Sequence, residues 1–293
     1  MHGGVTIGQD HAVLIALVVN TRSGSRTDPD RVADELRRHG PEVEVLSLDD
    51  LVAPLPEPTD RIVVAGGDGS IGVAACAAHT ARLPLAVIPT GTANDFARAL
   101  GLPVALDAAC ALAADPAATT RCHEVGKVGD RPFVNAAAAG LSAAASRHAE
   151  PHKSRLGVLA YALGALRAGL TAPPLHCRVR CDGAERFDGD VWQVVVGVTG
   201  AFGGGSHIGG TSHGDGQLDV AVVPAGSRTA LVRRAYGMRR GRLTSQRDVG
   251  HHRGRVVELA LPAGTPFNID GDVRPCDHTR FELLAGGVQV VVP

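Results

Sequence analysis

The chain has 293 residues, of which 44% are apolar, 20% are charged and 3% are aromatic, and its formal net charge is −1. At roughly 100–200 residues per domain, this length predicts two domains, each large enough to bury a core. A near-neutral chain with few aromatic side chains argues against a nucleic-acid-binding protein, which needs a basic surface or stacking rings.

The composition also bears on location and on disulfides. No apolar run reaches the ~18–20 residues that a membrane-spanning helix needs, and the first residues lack the basic and apolar regions of a secretory signal. We therefore expect a cytoplasmic protein. The six cysteines include no C-x-x-C pair, so we expect free thiols rather than a disulfide framework.

The first half of the chain alternates strand patterns with helix patterns. Continuous apolar runs indicate strands, and apolar residues at helical spacing indicate helices. Strands separated by helices of about ten residues predict a parallel sheet covered by helices on both faces. The predicted elements are strands over 11–19, 43–48, 62–65 and 85–88, and helices over 29–39, 71–79, 94–100 and 106–114.

The second half is dominated by strand patterns, which predict a sandwich-like domain. A boundary near 121–125 divides the chain into an α/β domain over 11–123 and a β-rich domain over 124–293. The predicted strands cover 131–137, 175–181, 187–198, 218–223, 255–261, 267–269, 280–284 and 288–292, and two inserted helices cover 156–170 and 228–242.

A glycine-rich segment, Gly66-Gly67-Asp68-Gly69-Ser70, follows the predicted strand over 62–65. Glycines let the backbone approach a ligand closely, and the N–H groups of a following helix, expected from about Ile71, attract an anion. An acid within such a loop is useful where a metal ion accompanies a phosphate. The segment matches neither the Walker A motif nor the G-x-G-x-x-G fingerprint, and taken alone it is also compatible with a simple turn.

A second polar loop, Thr90-Gly91-Thr92-Ala93-Asn94, follows the predicted strand over 85–88. Asn94 or Thr92 is suited to cap the next helix, and an N-capped helix without a ligand is the alternative interpretation. Because open α/β sheets bind ligands at the carboxyl ends of their strands, the two loops predict one binding site at that edge.

The two loops together, GGDGS and PTGTANDFARALGLP, resemble the diacylglycerol kinase catalytic domain family. That family includes bacterial diacylglycerol and lipid kinases as well as sphingosine and ceramide kinases. Other segments that resemble family motifs follow in order along the chain, at 20–24, 124–128, 133–135, 203–205, 215–219 and 268–272.

The resemblance implies a two-domain fold: a doubly wound α/β nucleotide domain like that of NAD kinases and phosphofructokinases, and a β-sandwich-like second domain. It implies transfer of the γ-phosphoryl group of ATP, with Mg²⁺, to a hydroxyl of a lipid, with diacylglycerol as the default acceptor. A soluble hydroxylated small molecule as acceptor and a non-catalytic nucleotide or lipid sensor are the alternatives. A homodimer and a peripheral membrane contact through the basic segment 228–242 are left open.

The resemblance also implies roles for individual residues. Asp68 and Asp272 are rival candidates for the general base, which must reach the acceptor hydroxyl. Asp272 stands where the family has Glu, and Glu124 where it more often has Asp, so each carboxylate is displaced by one methylene. The implied magnesium ligands are Glu124, Asp215 and Asp219. The implied nucleotide site consists of Asn20, Gly24, Gly66, Gly67, Gly69, Ser70, Thr90, Gly91, Thr92 and Asn94.

Overall fold

The computed structural model describes residues 13–20, 28–52, 55–149, 169, 171–202, 206–208, 214–227, 244, 246, 248–276 and 279–293. The predicted helices over 156–170 and 228–242 lie outside the described residues, apart from Gly169. Among the helices of the described part, none is long and apolar enough to cross a membrane.

Strands and helices alternate first, and strands then dominate. The helices are α1 (Pro29–Arg38), α2 (Asp68–Ala81), α3 (Asp95–Ala99), α4 (Leu106–Ala114) and α5 (Leu141–Ala149). The first ten strands are β1 (Leu14–Val19), β2 (Glu42–Leu46), β3 (Arg61–Gly66), β4 (Leu85–Pro89), β5 (Thr119–His123), β6 (Gly126–Val128), β7 (Arg131–Phe133), β8 (Ala136–Gly140), β9 (Leu175–Cys181) and β10 (Ala184–Gly197). The remaining strands are β11 (Ala201–Phe202), β12 (Ser206–His207), β13 (Leu218–Pro224), β14 (Gly250–Gly254), β15 (Val256–Ala260), β16 (Pro266–Ile269), β17 (Asp272–Pro275), β18 (Arg280–Leu283) and β19 (Val288–Val292).

The first sheet has the strand order β2-β1-β3-β4-β19-β5 in the described part of the chain. β1 to β4 and β19 run parallel, and β5 is antiparallel to β19. β3 and β4 are buried along their whole length, which explains their continuous apolar sequences. The predicted parallel sheet is therefore confirmed.

Helices cover both faces of this sheet, because successive side chains of a strand point to opposite faces. Val63 and Ala65 of β3 pack with α1 and α4, whereas Ile62 and Val64 pack with α2. The buried residues of α1 are spaced three to four apart, as expected for one face of a helix. α1 begins after Asp28, whose carboxylate accepts the N–H of Asp30 (3.1 Å).

The second sheet is antiparallel and β-sandwich-like, with the strand order β17-β16-β8-β10-β9-β15-β18-β6-β7 and with β13 and β14 joined to β10. Its main core is formed by valines of β10 and β13 and by Phe133, Phe267 and Phe281. The predicted architecture of an α/β domain followed by a sandwich-like domain is confirmed.

The last strand, β19, belongs to the first sheet, although it follows the whole second domain in sequence. It lies between β4 and β5, and its valines are buried in the cores on both faces of that sheet. The apolar side chains of such a strand can be buried in either sheet, so the sequence pattern does not reveal which sheet the strand joins. The division of the chain at 123/124 therefore leaves out this return of the chain to the first sheet.

Other differences are local. The strand predicted over 131–137 is interrupted between β7 and β8. α2 begins at Asp68, not near Ile71, because Gly67 is the extended residue before the helix (φ −94°, ψ 179°). Short or polar strands that the pattern analysis did not identify include β5, β6, β14 and β17, and α5 was also not identified.

Candidate active site

The two glycine-rich loops meet at the carboxyl edge of the first sheet. β3 and β4 are adjacent, and the N–H of Thr90 donates to the carbonyl of Gly66 (3.0 Å). Gly67 and Gly91 pack backbone to backbone, since a Cβ atom on Gly91 would lie 2.5 Å from the Cα of Gly67. No other residue fits at Gly91 without moving a backbone, so the glycine composition follows from this contact.

The end of β1 joins the same cluster through Asn20. Its backbone N–H donates to the carbonyl of Ala65 (3.0 Å), and its side-chain amide donates to the Ser70 hydroxyl (2.6 Å). A Cβ atom on Gly66 would lie 2.9 Å from Ser70. Asn20, Gly66 and Ser70 are thus brought together, whereas Gly24 lies outside the described residues, as do the residues of segment 203–205.

The N-terminus of α2 lies beside this contact and carries no side-chain cap. The N-terminal end of a helix carries unpaired N–H groups and a partial positive charge, which suit a phosphate. Because the helix starts at Asp68, this residue and Gly69 belong to its first turn rather than to a flexible loop.

The Asp68 carboxylate is 8% exposed and accepts three N–H groups. They are the backbone N–H groups of Asp95 (3.2 Å) and Phe96 (2.9 Å) and the side-chain amide of Asn135 (2.9 Å). Asp68 therefore caps α3 and connects it to the second domain. The sequence pattern predicted Asn94 or Thr92 as the cap of this helix, and the prediction was wrong for Asn94.

Asn94 occupies the position before α3 but does not cap it. Its backbone is left-handed (φ +51°), and its amide donates to the carbonyl of Gly91 (3.0 Å). The left-handed conformation turns the side chain back towards the loop, which leaves the helix end to Asp68. Asn94 thus stiffens the Gly91 loop.

Asp270 binds the junction between β7 and β8. Its carboxylate accepts the backbone N–H groups of Val134 (2.6 Å), Asn135 (3.0 Å) and Ala136 (3.0 Å), which explains the interruption of the predicted strand. Burial, reinforced by the negative charge of Asp68, raises the pKa of Asp270 to about 7 against the lowering effect of these hydrogen bonds. Asp270 lies in segment 268–272, but no role of its own was predicted for it from the sequence. Its Asp-Gly sequence after a strand was the available signal.

Asp272 follows this turn as the first residue of β17. Its side chain is 52% exposed and forms an ion pair with Arg274 Nε (2.8 Å). The turn contacts the start of α2, since a Cβ atom on Gly69 would lie 3.8 Å from the Asp270 carbonyl. Asp272 is therefore the first residue of the strand that follows this turn. Its side chain is far more exposed to solvent than that of Asp68.

Glu124 lies directly after β5, where the first sheet ends. Its two carboxylate oxygens accept the backbone N–H groups of Gly214 (3.1 Å) and Gly216 (2.6 Å). A cavity of about 290 Å³ lies beside Glu124, between the end of α3, β5 and Thr199. Glu124 thus holds the segment 214–216 against the wall of this cavity.

Asp215 and Asp219 both pair with Arg253. The Arg253 guanidinium contacts Asp215 Oδ2, and its Nε lies 3.2 Å from Asp219 Oδ1. His251 Nε2 lies 2.7 Å from the same oxygen of Asp219, and it donates there because a carboxylate accepts. The hydrogen bond to Asp215 raises the pKa of the Arg253 guanidinium.

These contacts do not fit the predicted magnesium site. Both oxygens of Glu124 accept backbone N–H groups, and Asp215 Oδ1 accepts the N–H of Gln217 (3.1 Å). Asp215 Oδ2 and Asp219 Oδ1 contact Arg253. A divalent ion about 5 Å from a guanidinium is repelled by roughly 7 kcal/mol at an effective dielectric constant of about 20. Among the described residues, five of the six carboxylate oxygens of these three acids thus contact donors of the protein itself, and Asp219 Oδ2 has no such partner.

Comparison with known proteins agrees with this geometry. Residues 14–127 match the model of the "Diacylglycerol kinase catalytic domain", and residues 135–292 match that of the "YegS C-terminal NAD kinase beta sandwich-like domain". A "Diacylglycerol kinase" of Mycobacterium tuberculosis is 30% identical over 250 residues, covering 83% of this chain and 80% of that protein. A "Probable lipid kinase YegS-like" protein of Pseudomonas savastanoi is 32% identical over 253 residues, covering 80% of this chain and 76% of that protein.

Solved structures show the same fold. The crystal structure of a putative diacylglycerol kinase from Bacillus anthracis has a TM-score of 0.76 at 24% identity and covers 96% of this chain and 97% of its own. An NAD kinase from Archaeoglobus fulgidus in complex with ATP has a TM-score of 0.52 at 15% identity, with 95% and 93% coverage. The converging glycine loops, the two matched domains and the curated relatives agree: the chain belongs to the diacylglycerol kinase catalytic domain family of lipid kinases.

Proposed function

We propose that this protein transfers the γ-phosphoryl group of ATP to a hydroxyl of diacylglycerol. The observation that carries the proposal is the backbone contact between Gly67 and Gly91, which joins two glycine-rich loops at the uncapped N-terminus of α2. Phosphoryl transfer depends on positioning and on neutralising phosphate charge more than on covalent chemistry. Backbone N–H groups at a helix start supply both.

The nucleotide site in this proposal is the loop cluster at the carboxyl edge of the first sheet. The phosphates lie against the start of α2, where glycines let them approach the backbone closely. Ser70, held by Asn20, presents its hydroxyl in the first turn of that helix. The proposed nucleotide-binding residues are Asn20, Gly24, Gly66, Gly67, Gly69, Ser70, Thr90, Gly91, Thr92 and Asn94.

Of the two candidate bases, we assign the proton transfer to Asp272. A general base needs a free lone pair within hydrogen-bond reach of the hydroxyl that it deprotonates. Asp68 already accepts three N–H groups, whereas Asp272 has one described partner, Arg274, on the same strand. Asp68 in this proposal is a positioning residue that connects α2, α3 and the second domain.

Mg²⁺ in this proposal enters with ATP, as the ion that neutralises the phosphate charge. The acids Glu124, Asp215 and Asp219 hold the segment 214–219 in place and do not bind that ion. Diacylglycerol reaches the cleft from the second domain, next to β17.

The experiment is a phosphoryl-transfer screen with the full chain, radiolabelled ATP and Mg²⁺. The acceptors are diacylglycerol, sphingosine, ceramide and prenols in mixed micelles, together with soluble polyols. We expect labelled phosphatidic acid as the main product. A labelled product from sphingosine, ceramide, a prenol or a polyol, with no labelled product from diacylglycerol, would overturn the assignment of the acceptor. ATP binding without any labelled product would favour a sensor.

A further inference from the structure

Asp215 and Asp219, two of the predicted magnesium ligands, both lie against the positively charged side chain of Arg253. β13 and β14 are antiparallel, and Asp219 is directly opposite Arg253. His251 lies two residues from Arg253 on β14, so it points to the same face and reaches Asp219 diagonally. Asp215 lies four residues before Asp219 and contacts the guanidinium from the turn that precedes β13.

The burial of Asp219 makes its pairing with Arg253 important for the stability of this segment. Asp219 is 0% exposed, and the side chains of Arg253 and Asp215 are about a third exposed (31% and 30%). A buried carboxylate without a positive partner is strongly disfavoured. One oxygen of Asp219, Oδ2, has no hydrogen-bond partner within the described residues, so its charge depends on the two contacts that Oδ1 makes with Arg253 and His251.

We propose that Arg253, assisted by His251, is the built-in cation of the segment 214–219, so that this segment keeps its conformation without a divalent metal ion. The guanidinium contacts both Asp215 and Asp219, so it lies where an ion shared by these two carboxylates would have to lie. Arg253 is thus a positioning residue, since it holds Asp215 and Asp219 at the two ends of this segment. The proposal concerns the folded chain and does not depend on the identity of the acceptor.

The test measures the thermal unfolding midpoint of the full chain without nucleotide, in a chelator and in millimolar Mg²⁺. The variants are Arg253→Met, which removes the charge, and Arg253→Lys, which keeps it. Arg280→Met is the matched control, because Arg280 also lies on a strand of the second sheet and pairs with two acids, Glu258 (3.3 Å) and Glu282 (3.6 Å).

We expect the wild-type midpoint to be the same in chelator and in Mg²⁺. Arg253→Met should unfold about 5 °C lower in chelator and recover part of this loss in Mg²⁺, because the vacated acids then accept the ion. Arg253→Lys and Arg280→Met should show no dependence on Mg²⁺.

Two results would overturn the proposal. One is a wild-type midpoint that rises with Mg²⁺, which would mean that the acids bind the ion beside Arg253. The other is an Arg253→Met midpoint that never depends on Mg²⁺. If Arg253→Met does not fold, Arg253→Gln, alone and combined with Asp215→Asn, decides the matter, because glutamine also removes the charge: additive losses would refute a direct pairing of Asp215 with Arg253. A kinase assay is not needed, so failure of the proposed function and failure of this proposal are distinguishable.

Discussion

At the scale of single residues, Asp68 and Asp272 are the two candidate bases: Asp68 lies in the first turn of α2 and Asp272 follows the turn that approaches it, but their surroundings differ. Asp68 is buried and accepts three N–H groups, one of them across the domain boundary from Asn135. Asp272 is half exposed and has an ion pair with Arg274. The motifs alone suggest a catalytic role for both residues. Their contacts indicate that Asp68 stabilises the structure, whereas Asp272 has a solvent-exposed carboxylate that is available to accept a proton.

This division predicts opposite effects of two alanine substitutions. Asp68→Ala leaves three donors without their acceptor, so it should lower the free energy of unfolding by about 3 kcal/mol in urea denaturation. Asp272→Ala removes only an exposed ion pair, worth less than about 1 kcal/mol, so stability should be unchanged. Its kcat should fall by about 10²-fold or more, as expected for loss of a general base. An Asp272→Ala variant that keeps more than about a tenth of the activity would contradict the assignment.

At the scale of elements, the β16–β17 hairpin is attached to its neighbours in two ways: β16 pairs with β8, and one side chain of the turn binds the β7–β8 junction. Asp270, at a left-handed position (φ +47°), accepts three consecutive backbone N–H groups. The same side chain lies close enough to Asp68 for that charge to act on its pKa. We therefore expect the contact between Asp270 and the β7–β8 junction to depend on pH.

The stability of the protein should decrease as pH rises through neutrality because of Asp270. Its pKa is raised to about 7 in the folded state, so the folded protein keeps a proton that the unfolded chain has already released. The resulting stabilisation is complete below the unfolded pKa and is lost as pH passes the folded pKa, with a slope of up to about 1.4 kcal/mol per pH unit.

Urea denaturation from about pH 5 to about pH 8 measures this effect, and Asp270→Ala should show a shallower decline than the wild type. Asp182→Ala controls for the loss of hydrogen bonds alone. Asp182 also has a left-handed backbone before a glycine (φ +50°), and it accepts the N–H groups of Arg255 and Val256 (both 3.0 Å). Equal slopes in the wild type and Asp270→Ala would show that this carboxyl does not control the pH dependence.

At the scale of the whole molecule, the chain passes from the first sheet to the second and returns at β19. This strand lies between β4 and β5, so the nucleotide domain is completed only after the second domain has been synthesised. Its residues Val288, Val290, Val291 and Val292 are all buried. The folding of the two domains is therefore coupled through the last strand.

The return strand gives a matched pair of substitutions. Val290 is 0% exposed, whereas its neighbour Gln289 is exposed. Val290→Asp places an unpaired charge in the core and should lower the free energy of unfolding by about 4 kcal/mol. Gln289→Asp should change it by less than about 0.5 kcal/mol, and both are measured by urea denaturation. Similar losses for the two variants would mean that β19 is not part of the core of the first sheet.

The amino-acid sequence by itself determined most of the order of strands and helices, the succession of an α/β domain and a sandwich-like domain, and the position of the glycine loops. These features depend on neighbours along the chain, namely apolar spacing and glycines at strand ends. The convergence of the loops at Gly67 and Gly91 also followed from the sequence, because adjacent parallel strands end at the same edge.

The tertiary structure alone decided the partners of the acids and the sheet of the last strand. Asp68 is 67 residues from Asn135, and Asp215 is 38 residues from Arg253. Which donor a carboxylate meets at that separation depends on strand register and on the packing of two sheets. Neither is encoded in a local pattern, because any Asp in a motif looks alike whether it faces a phosphate, a backbone N–H or an arginine. Long-range pairing therefore separated positioning acids from the candidate base.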